Sequence, residues 1–383
     1  MFSNAVRIAR LQGFDIKVDP SWLLIAALIT WSLATQFFPM SYPGAGQAVY
    51  LLLAVLAMLG FFASLILHEM SHSVVARRFG VEIKGITLFI FGGVAELGSE
   101  PKTAVSEFWI AIAGPLMSFA LAFGFWLLAQ IGWALVPGGA LNPVLGYLAL
   151  INLVLAVFNL VPAFPLDGGR ILRAWLWSRS RDLLAATRTA TRISSYFAYA
   201  LILYGLLGLF SGNPVAALWQ VLIGVFVLSA AKGTYAHQLQ TAAFKGKTVA
   251  DLMTRDPVTV GPDISLQALA HQVLLPERKS FVPVVQQGVL LGCTDTQDLA
   301  RVPQERWAQT PVEEVYQPPD GSNSVAPQMQ ADALMRKISE TGRRKFLVTD
   351  KGRLLGVITL TDLTGYIALL QEVRRMGGKG ENT

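Results

Sequence analysis

The chain has 383 residues, 53% of them hydrophobic and 15% charged, with a mean hydropathy of +0.48. Soluble domains average about 25% charged residues, so this chain has too little polar surface to clothe itself in water. Collagen-like, disordered and disulfide-stapled classes are excluded too, and the single cysteine, Cys293, is too few for a disulfide or a thiolate zinc site.

Residues 2–20 carry Arg7, Arg10 and Lys17 but no apolar core, so no cleavable signal peptide is expected. Ser21 to Ala76 contains one charged residue, Glu69, while Phe108 to Leu166 and Ile193 to Ala231 contain none. A membrane-spanning helix takes about 20 apolar residues. Each stretch therefore holds two spans, and six are expected, near 21–38, 48–76, 108–131, 144–162, 193–211 and 215–234. The loops 39–47, 132–143 and 211–214 lack Lys and Arg, whereas the opposite connections collect Arg77, Arg78, Lys84, Lys102, Arg170 to Arg192, Lys232, Lys245 and Lys247. Positive residues mark the cytoplasmic face. The net charge of +6 thus orients a multi-pass cell-membrane protein in the lipid bilayer, with both termini cytoplasmic. A nucleic-acid partner is not expected.

The second span contains His68-Glu69-Met70-Ser71-His72. Histidines at i and i+4 share one helix face and can converge on a zinc ion, and the intervening Glu69 can take a proton from zinc-bound water. Ionisable groups inside a span are costly and mark function. A catalytic zinc site usually has three protein ligands. His237 and His271 lie past the spans, so a carboxylate is the better third candidate. Asp167 closes the run Asn159-Leu-Val-Pro-Ala-Phe-Pro-Leu-Asp167-Gly168-Gly169 at the end of the fourth span. The prolines there break the helix, which places Asp167 on irregular backbone, at a depth similar to that of His68.

These two motifs resemble the site-2 protease family of intramembrane zinc metalloproteases, with supporting matches at Phe91-Gly92-Gly93-Val94-Ala95 and Ala113-Gly114-Pro115. The resemblance covers about 1–236. It implies zinc held by His68, His72 and Asp167, Glu69 as general base, Asn159 positioning substrate or stabilising the oxyanion, and Gly92 and Gly93 lining the substrate path. The β-prone segment Gly85 to Glu96 is expected to pair with an unwound substrate by strand addition.

Past a linker at 237–247 the chain reads as soluble α/β sequence, and it repeats. Leu291-Gly-Cys-Thr-Asp-Thr-Gln-Asp298 parallels Leu355-Gly-Val-Ile-Thr-Leu-Thr-Asp362 at an interval of 64 residues. With Val249-Ala-Asp-Leu-Met253, these segments resemble a tandem pair of cystathionine-β-synthase (CBS) domains, divided at 248–308 and 309–370, before a flexible tail at 371–383. In that family the Thr or Ser of the motif contacts nucleotide phosphate and the Asp holds the ribose. Thr359 and Asp362 match. The first repeat keeps Asp298 but has Asp295 where Thr or Ser is expected, a charge that repels phosphate.

The expected architecture is therefore an α-helical polytopic membrane domain of six spans with a site-2 protease-like core, followed by a soluble α/β tandem CBS module. The expected activity is zinc-dependent endopeptidase cleavage in or near the transmembrane segment of a membrane-anchored protein substrate. ATP, ADP or AMP is the expected regulatory ligand of the CBS pair, through which a homodimer forms. The alternative is a CBS-regulated ion channel or transporter, which leaves His68, Glu69, His72 and Asp167 without a role.

Overall fold

The computed structural model describes residues 5–11, 13–81, 83–89, 92–97, 100–210 and 214–377. The chain divides into two compact units, Met1–Ala236 and His237–Thr383.

The first unit opens with strands β1 (Val6–Leu11) and β2 (Phe14–Val18). Helix α1 (Ser21–Ser32) continues through a π-helical turn at Leu33–Phe37 to Ser41. Helix α2 (Gln47–Arg78) follows, then the hairpin of β3 (Ile83–Phe89) and β4 (Gly92–Leu97). Four helices follow: α3 (Ala104–Leu135), α4 (Asn142–Asn159), α5 (Asp167–Ser180) and α6 (Leu183–Gly208). A last helix, α7 (Pro214–Phe244), runs on past Ala236. The strands form one sheet in the order β1-β2-β3-β4, in which β2 pairs with β3 in parallel and β3 with β4 antiparallel. The N-terminal strands are absent from the sequence reading because Val6, Ile8 and Leu11 are interleaved with arginines and look like a charged flank.

Small residues let the helices approach closely. Ala54 and Ala57 of α2 are fully buried beside Leu53, Val144 and Leu148. A Cβ on Gly60 would stand 2.7 Å from a methyl of Leu148. The outer faces are the reverse of a soluble protein's: Leu24, Trp31, Leu52, Phe123, Trp126 and Leu153 are all exposed. Such a surface suits a lipid solvent, in which helices satisfy their own backbone groups.

Among the described residues, five helical stretches are long and apolar enough to span a membrane: Ser21–Ser41, Gln47–Arg78, Ala104–Leu135, Asn142–Asn159 and Ala216–Phe244. The expected span at 193–211 falls on α6, which is not among them. Arg192, Ser194, Ser195 and three tyrosines, at 196, 199 and 204, dilute its apolar residues. The structure thus gives five such stretches where the charge-free runs predict six.

In the second unit, α8 (Val249–Leu252) precedes β5 (Thr254–Arg255), and α9 (Leu266–Ala268) continues as a π-helical turn to Leu274. Then come β6 (Phe281–Gln286), β7 (Val289–Asp295), α10 (Thr296–Leu299) and β8 (Ser324–Val325). The chain closes with α11 (Ala331–Thr341), β9 (Lys345–Asp350), β10 (Arg353–Thr359) and α12 (Leu360–Gly377). The repeat is visible in its turns: Gln287-Gly288 joins β6 to β7 and Lys351-Gly352 joins β9 to β10, all four residues at positive φ. That is the backbone a two-residue hairpin needs to match strand twist. Two stretches are more ordered than their sequence suggests. The segment 237–247, read as a linker, is helix to Phe244, and Ala243 and Phe244 are buried in this unit's core. Residues 371–377, read as tail, belong to α12, and 378–383 lie outside the described residues.

Candidate metal centre

Helix α2 presents His68 and His72 on one face, and both are buried, at 2% and 6% exposure. His72 Nδ1 donates to the Ile110 carbonyl of α3 at 2.6 Å, which leaves Nε2 as the free lone pair. His68 Nδ1 meets Ser118 Oγ of α3 at 2.8 Å. Both Nε2 atoms turn toward Asp167, with Nε2 to Oδ2 distances of 3.3 Å from His68 and 3.2 Å from His72. The two Nε2 atoms are 3.3 Å apart.

Three donors about 2.0–2.1 Å from one tetrahedral ion stand about 3.3–3.4 Å from each other. The observed spacing fits zinc, as does the chemistry of two imidazoles and a carboxylate, and this is a buried group able to hold a metal among the described residues. Gly114 supplies the room: a Cβ there would run into Nε2 of both histidines.

Asp167 reaches this point through a turn that the sequence reading places differently. It is the first residue of α5, not part of an irregular loop, and is 8% exposed. Helix α4 stops at Asn159 and the chain turns back over residues 160–166, with a cis bond between Phe164 and Pro165. Ser194 Oγ of α6 accepts from the Phe164 N–H at 2.9 Å and ties the turn down. Gly168 and Gly169 pack against it so closely that Cβ atoms would strike backbone of Leu160, Val161, Ala163 and Phe164.

A cavity of about 510 Å³ opens on the centre. Glu69, Asn159 and Gly93 line it with the three donor residues. A Cβ on Gly93 would come within 2.7 Å of Glu69 Cγ, so β4 passes directly beside that carboxylic acid. Gly92, expected beside it on the substrate path, begins β4, and Phe91 lies outside the described residues. Asn159 Nδ2 donates to the Leu155 carbonyl at 3.1 Å.

Sequence reasoning misses the clamp behind the centre. Glu107 of α3, 0% exposed, pairs with Arg173 of α5, 8% exposed, the Nε to Oε1 distance being 2.6 Å. The pair joins residues 66 apart in the chain. On α3, Glu107, Ile110, Gly114 and Ser118 thus recur at three- and four-residue steps, so one face of that helix carries the clamp, the contacts to both histidines and the clearance for them. Glu107 stands just outside the charge-free run and is legible as a charge, but nothing local identifies its partner.

In the second unit, Thr359 and Asp362 line a cleft of about 390 Å³. Asp362 Oδ2 accepts from the Thr359 N–H and hydroxyl, each at 2.8 Å. Asp298 lines a separate cleft of about 550 Å³. Its carboxylate accepts from Gln317 Nε2 at 2.6 Å and from the Asp295 N–H at 3.0 Å. Asp295, expected to repel phosphate, caps α10 and stands 3.4 Å from Lys345 Nζ, in a cleft that Arg301, Arg343 and Arg344 also line.

A buried His-His-Asp set with a carboxylic acid beside it, inside apolar helices, fits a metal-dependent hydrolase working in a membrane. Comparison with known proteins gives the same class. The profile of Peptidase family M50 matches residues 56–138 and 134–205, and that of the CBS domain matches 249–305 and 312–369. Rip3 of Mycobacterium tuberculosis, named as a zinc metalloprotease, is 36% identical over 95% of this chain and 93% of its own length. The zinc metalloprotease MJ0392 of Methanocaldococcus jannaschii is 33% identical over 96% of this chain and 97% of its own. Among solved structures, the site-2 protease from Methanocaldococcus jannaschii aligns at 32% identity and a TM-score of 0.42, covering 60% of this chain and 95% of that one. The chain belongs to peptidase family M50, the site-2 protease family of zinc metalloproteases, and carries a tandem CBS pair. It is a multi-pass membrane enzyme.

Proposed function

We propose that this enzyme cleaves a peptide bond in or beside the transmembrane segment of a membrane-anchored protein, with zinc held by His68, His72 and Asp167. The observation that carries the reading is the convergence of three buried donors beside Glu69, in a cavity within apolar helices. Held there, zinc would supply Lewis-acid polarisation of the scissile carbonyl and would lower the pKa of water toward about 7. Glu69 takes a proton from the attacking water and returns it to the leaving amine. Asn159 has a second N–H and its Oδ1 free of the Leu155 contact, and these orient the substrate backbone.

A transmembrane substrate hides its amides in its own helix and must open before attack. β4 ends the order of the four-stranded sheet and runs against Glu69 through Gly93, which supports pairing of the opened strand along it. The lysines and arginines of the connections support cytoplasmic termini and a cytoplasmic CBS module. The two clefts of that module, one with Thr359 and Asp362 and one with Asp298, support regulation by ATP, ADP or AMP, with the CBS pair also joining two copies of the chain. Nucleotide acts only by binding one conformation better than another.

Comparing the membrane proteins of cells that make the wild-type enzyme with those of cells that make Glu69→Gln tests the reading. A membrane-anchored protein should accumulate uncleaved in the variant. Identical profiles would contradict it.

A further inference from the structure

Helix α5 carries three arginines on its inner and outer faces, and two of them are matched. Arg173 is paired with buried Glu107, and Arg179 lies over the Trp175 ring at 4.7 Å. Arg170 is different. It stands one turn after Asp167, is half-buried, and lines the same cavity as Glu69 and Asn159. Among the described residues it makes no hydrogen bond or ion pair, and Glu69, in the same cavity, acts on it only at longer range. Asp167, the nearest acid along the helix, is turned to the two imidazoles instead.

Much of the remaining wall is apolar, with Phe89, Ile110, Phe158 and Phe226 among its residues. A cation in such surroundings gains most when an anion reaches hydrogen-bonding distance, which no acid of the cavity does. Asn159 has already given one N–H to Leu155, whereas a guanidinium offers five in a planar fork that matches a carboxylate or a developing oxyanion. Hydrolysis of a peptide bond makes both of these anions in turn, whatever the side chains of the substrate.

The geometry points to Arg170 as a further catalytic residue, the donor to the substrate's carbonyl oxygen as negative charge forms there and then to the carboxylate of the product. The inference rests on the proposed hydrolysis. Water oxygen bonds to the carbonyl carbon while its proton goes to Glu69. The C–N bond then breaks as that proton passes to the amine, and the acid product gives its remaining proton to the freed Glu69 carboxylate and on to water, which leaves the product carboxylate against Arg170, protonated throughout. Removing one such preorganised donor costs about 10²–10³ in kcat.

The test uses the full-length enzyme in detergent with a Leu/Ala-rich transmembrane peptide as substrate, and the N-terminal fragment of that peptide as free acid and as amide. Arg170→Gln should lose about 100-fold or more in kcat, with KM little changed and zinc still at one per chain, and Arg170→Lys should recover part of the rate. Zinc-free wild-type enzyme should bind the free acid about tenfold more tightly than the amide, an ion-pair difference of about 1.4 kcal/mol, and Arg170→Gln should bind both alike. Cleavage by Arg170→Gln within a few-fold of wild type would overturn the assignment, as would loss of rate through loss of zinc. If the wild type holds zinc yet leaves the peptide intact, the binding arm still decides: equal affinity for acid and amide rejects Arg170. A wild type that binds no zinc and cleaves nothing rejects the hydrolysis itself, a failure distinct from the others.

Discussion

In the first unit the outer helix faces carry Leu24, Trp31, Phe123 and Trp126, while the residues sealed inside include His68, His72, Glu107, Ser118, Asn152 and Asp167. Apolar residues predominate in the interior of both units, but the second seals fewer polar ones, with Leu334, Phe346, Val348 and Ile358 typical of its core, and its charged side chains gather at clefts. The contrast follows from the solvent. Water drives apolar groups inward in the second unit, but in a bilayer apolar burial gives no such gain, so interior polar contacts and close packing hold the helices together. Asn152 shows this on a small scale: its Nδ2 reaches Ser64 Oγ across two helices at 3.1 Å and the Leu148 carbonyl at 2.8 Å. Polar interior residues should therefore govern both stability and metal binding in the first unit, and apolar ones stability alone in the second.

The sharpest way to break this comparison is Glu107→Gln. It leaves Arg173 charged and buried without its partner, and should destabilise the first unit by about 3–5 kcal/mol. Thermal unfolding of the detergent-solubilised enzyme measures it, and an unchanged melting temperature would remove the clamp from the account. Leu334→Ala, in the apolar core of the second unit, should cost about 2–5 kcal/mol there while zinc stays at one per chain. Zinc loss from that variant would show that the two kinds of interior are not separable. Ser118→Ala should leave folding nearly intact and weaken zinc binding about 10–100-fold, the usual cost of removing a hydrogen-bond partner behind a metal-ligating histidine. A competitive chelator titration reads this directly.

The smallest effect concerns Cys293. Burial pushes its thiol up to about 12 from an ordinary value near 9. The folded chain therefore keeps a proton that the unfolded chain releases above pH 9, so this residue lowers stability as pH rises between about 9 and 12. At pH 9.5 the cost is under about 1 kcal/mol, seen as a flatter alkaline slope in Cys293→Ala.

What the sequence disclosed depended on range. His68 and His72 are four residues apart, so helical periodicity alone brings them together, and Asp167 stands out by the prolines and glycines around it. The repeat of the CBS pair is equally local in its hairpin turns. Glu107 with Arg173, and Ser118 with His68, are pairings across 66 and 50 residues, and no periodicity encodes them. Gly114 is conspicuous as part of Ala113-Gly114-Pro115, yet its reason, clearance for two imidazoles, exists only after α2 and α3 pack. The strands β1 and β2 escape notice for a related reason: the parallel pairing of β2 with β3 is decided by a segment some 70 residues further along.

If His68, His72 and Asp167 hold zinc while Glu69 moves the proton, as proposed, metal binding and chemistry fall on different residues. Zinc content and peptide cleavage should therefore be measured on the same purified preparations of wild type, His72→Ala and Glu69→Gln. The wild type should hold one zinc per chain and cleave, His72→Ala should do neither, and Glu69→Gln should hold zinc without cleaving. Cleavage by Glu69→Gln at the wild-type rate, or full zinc content in His72→Ala, would contradict it.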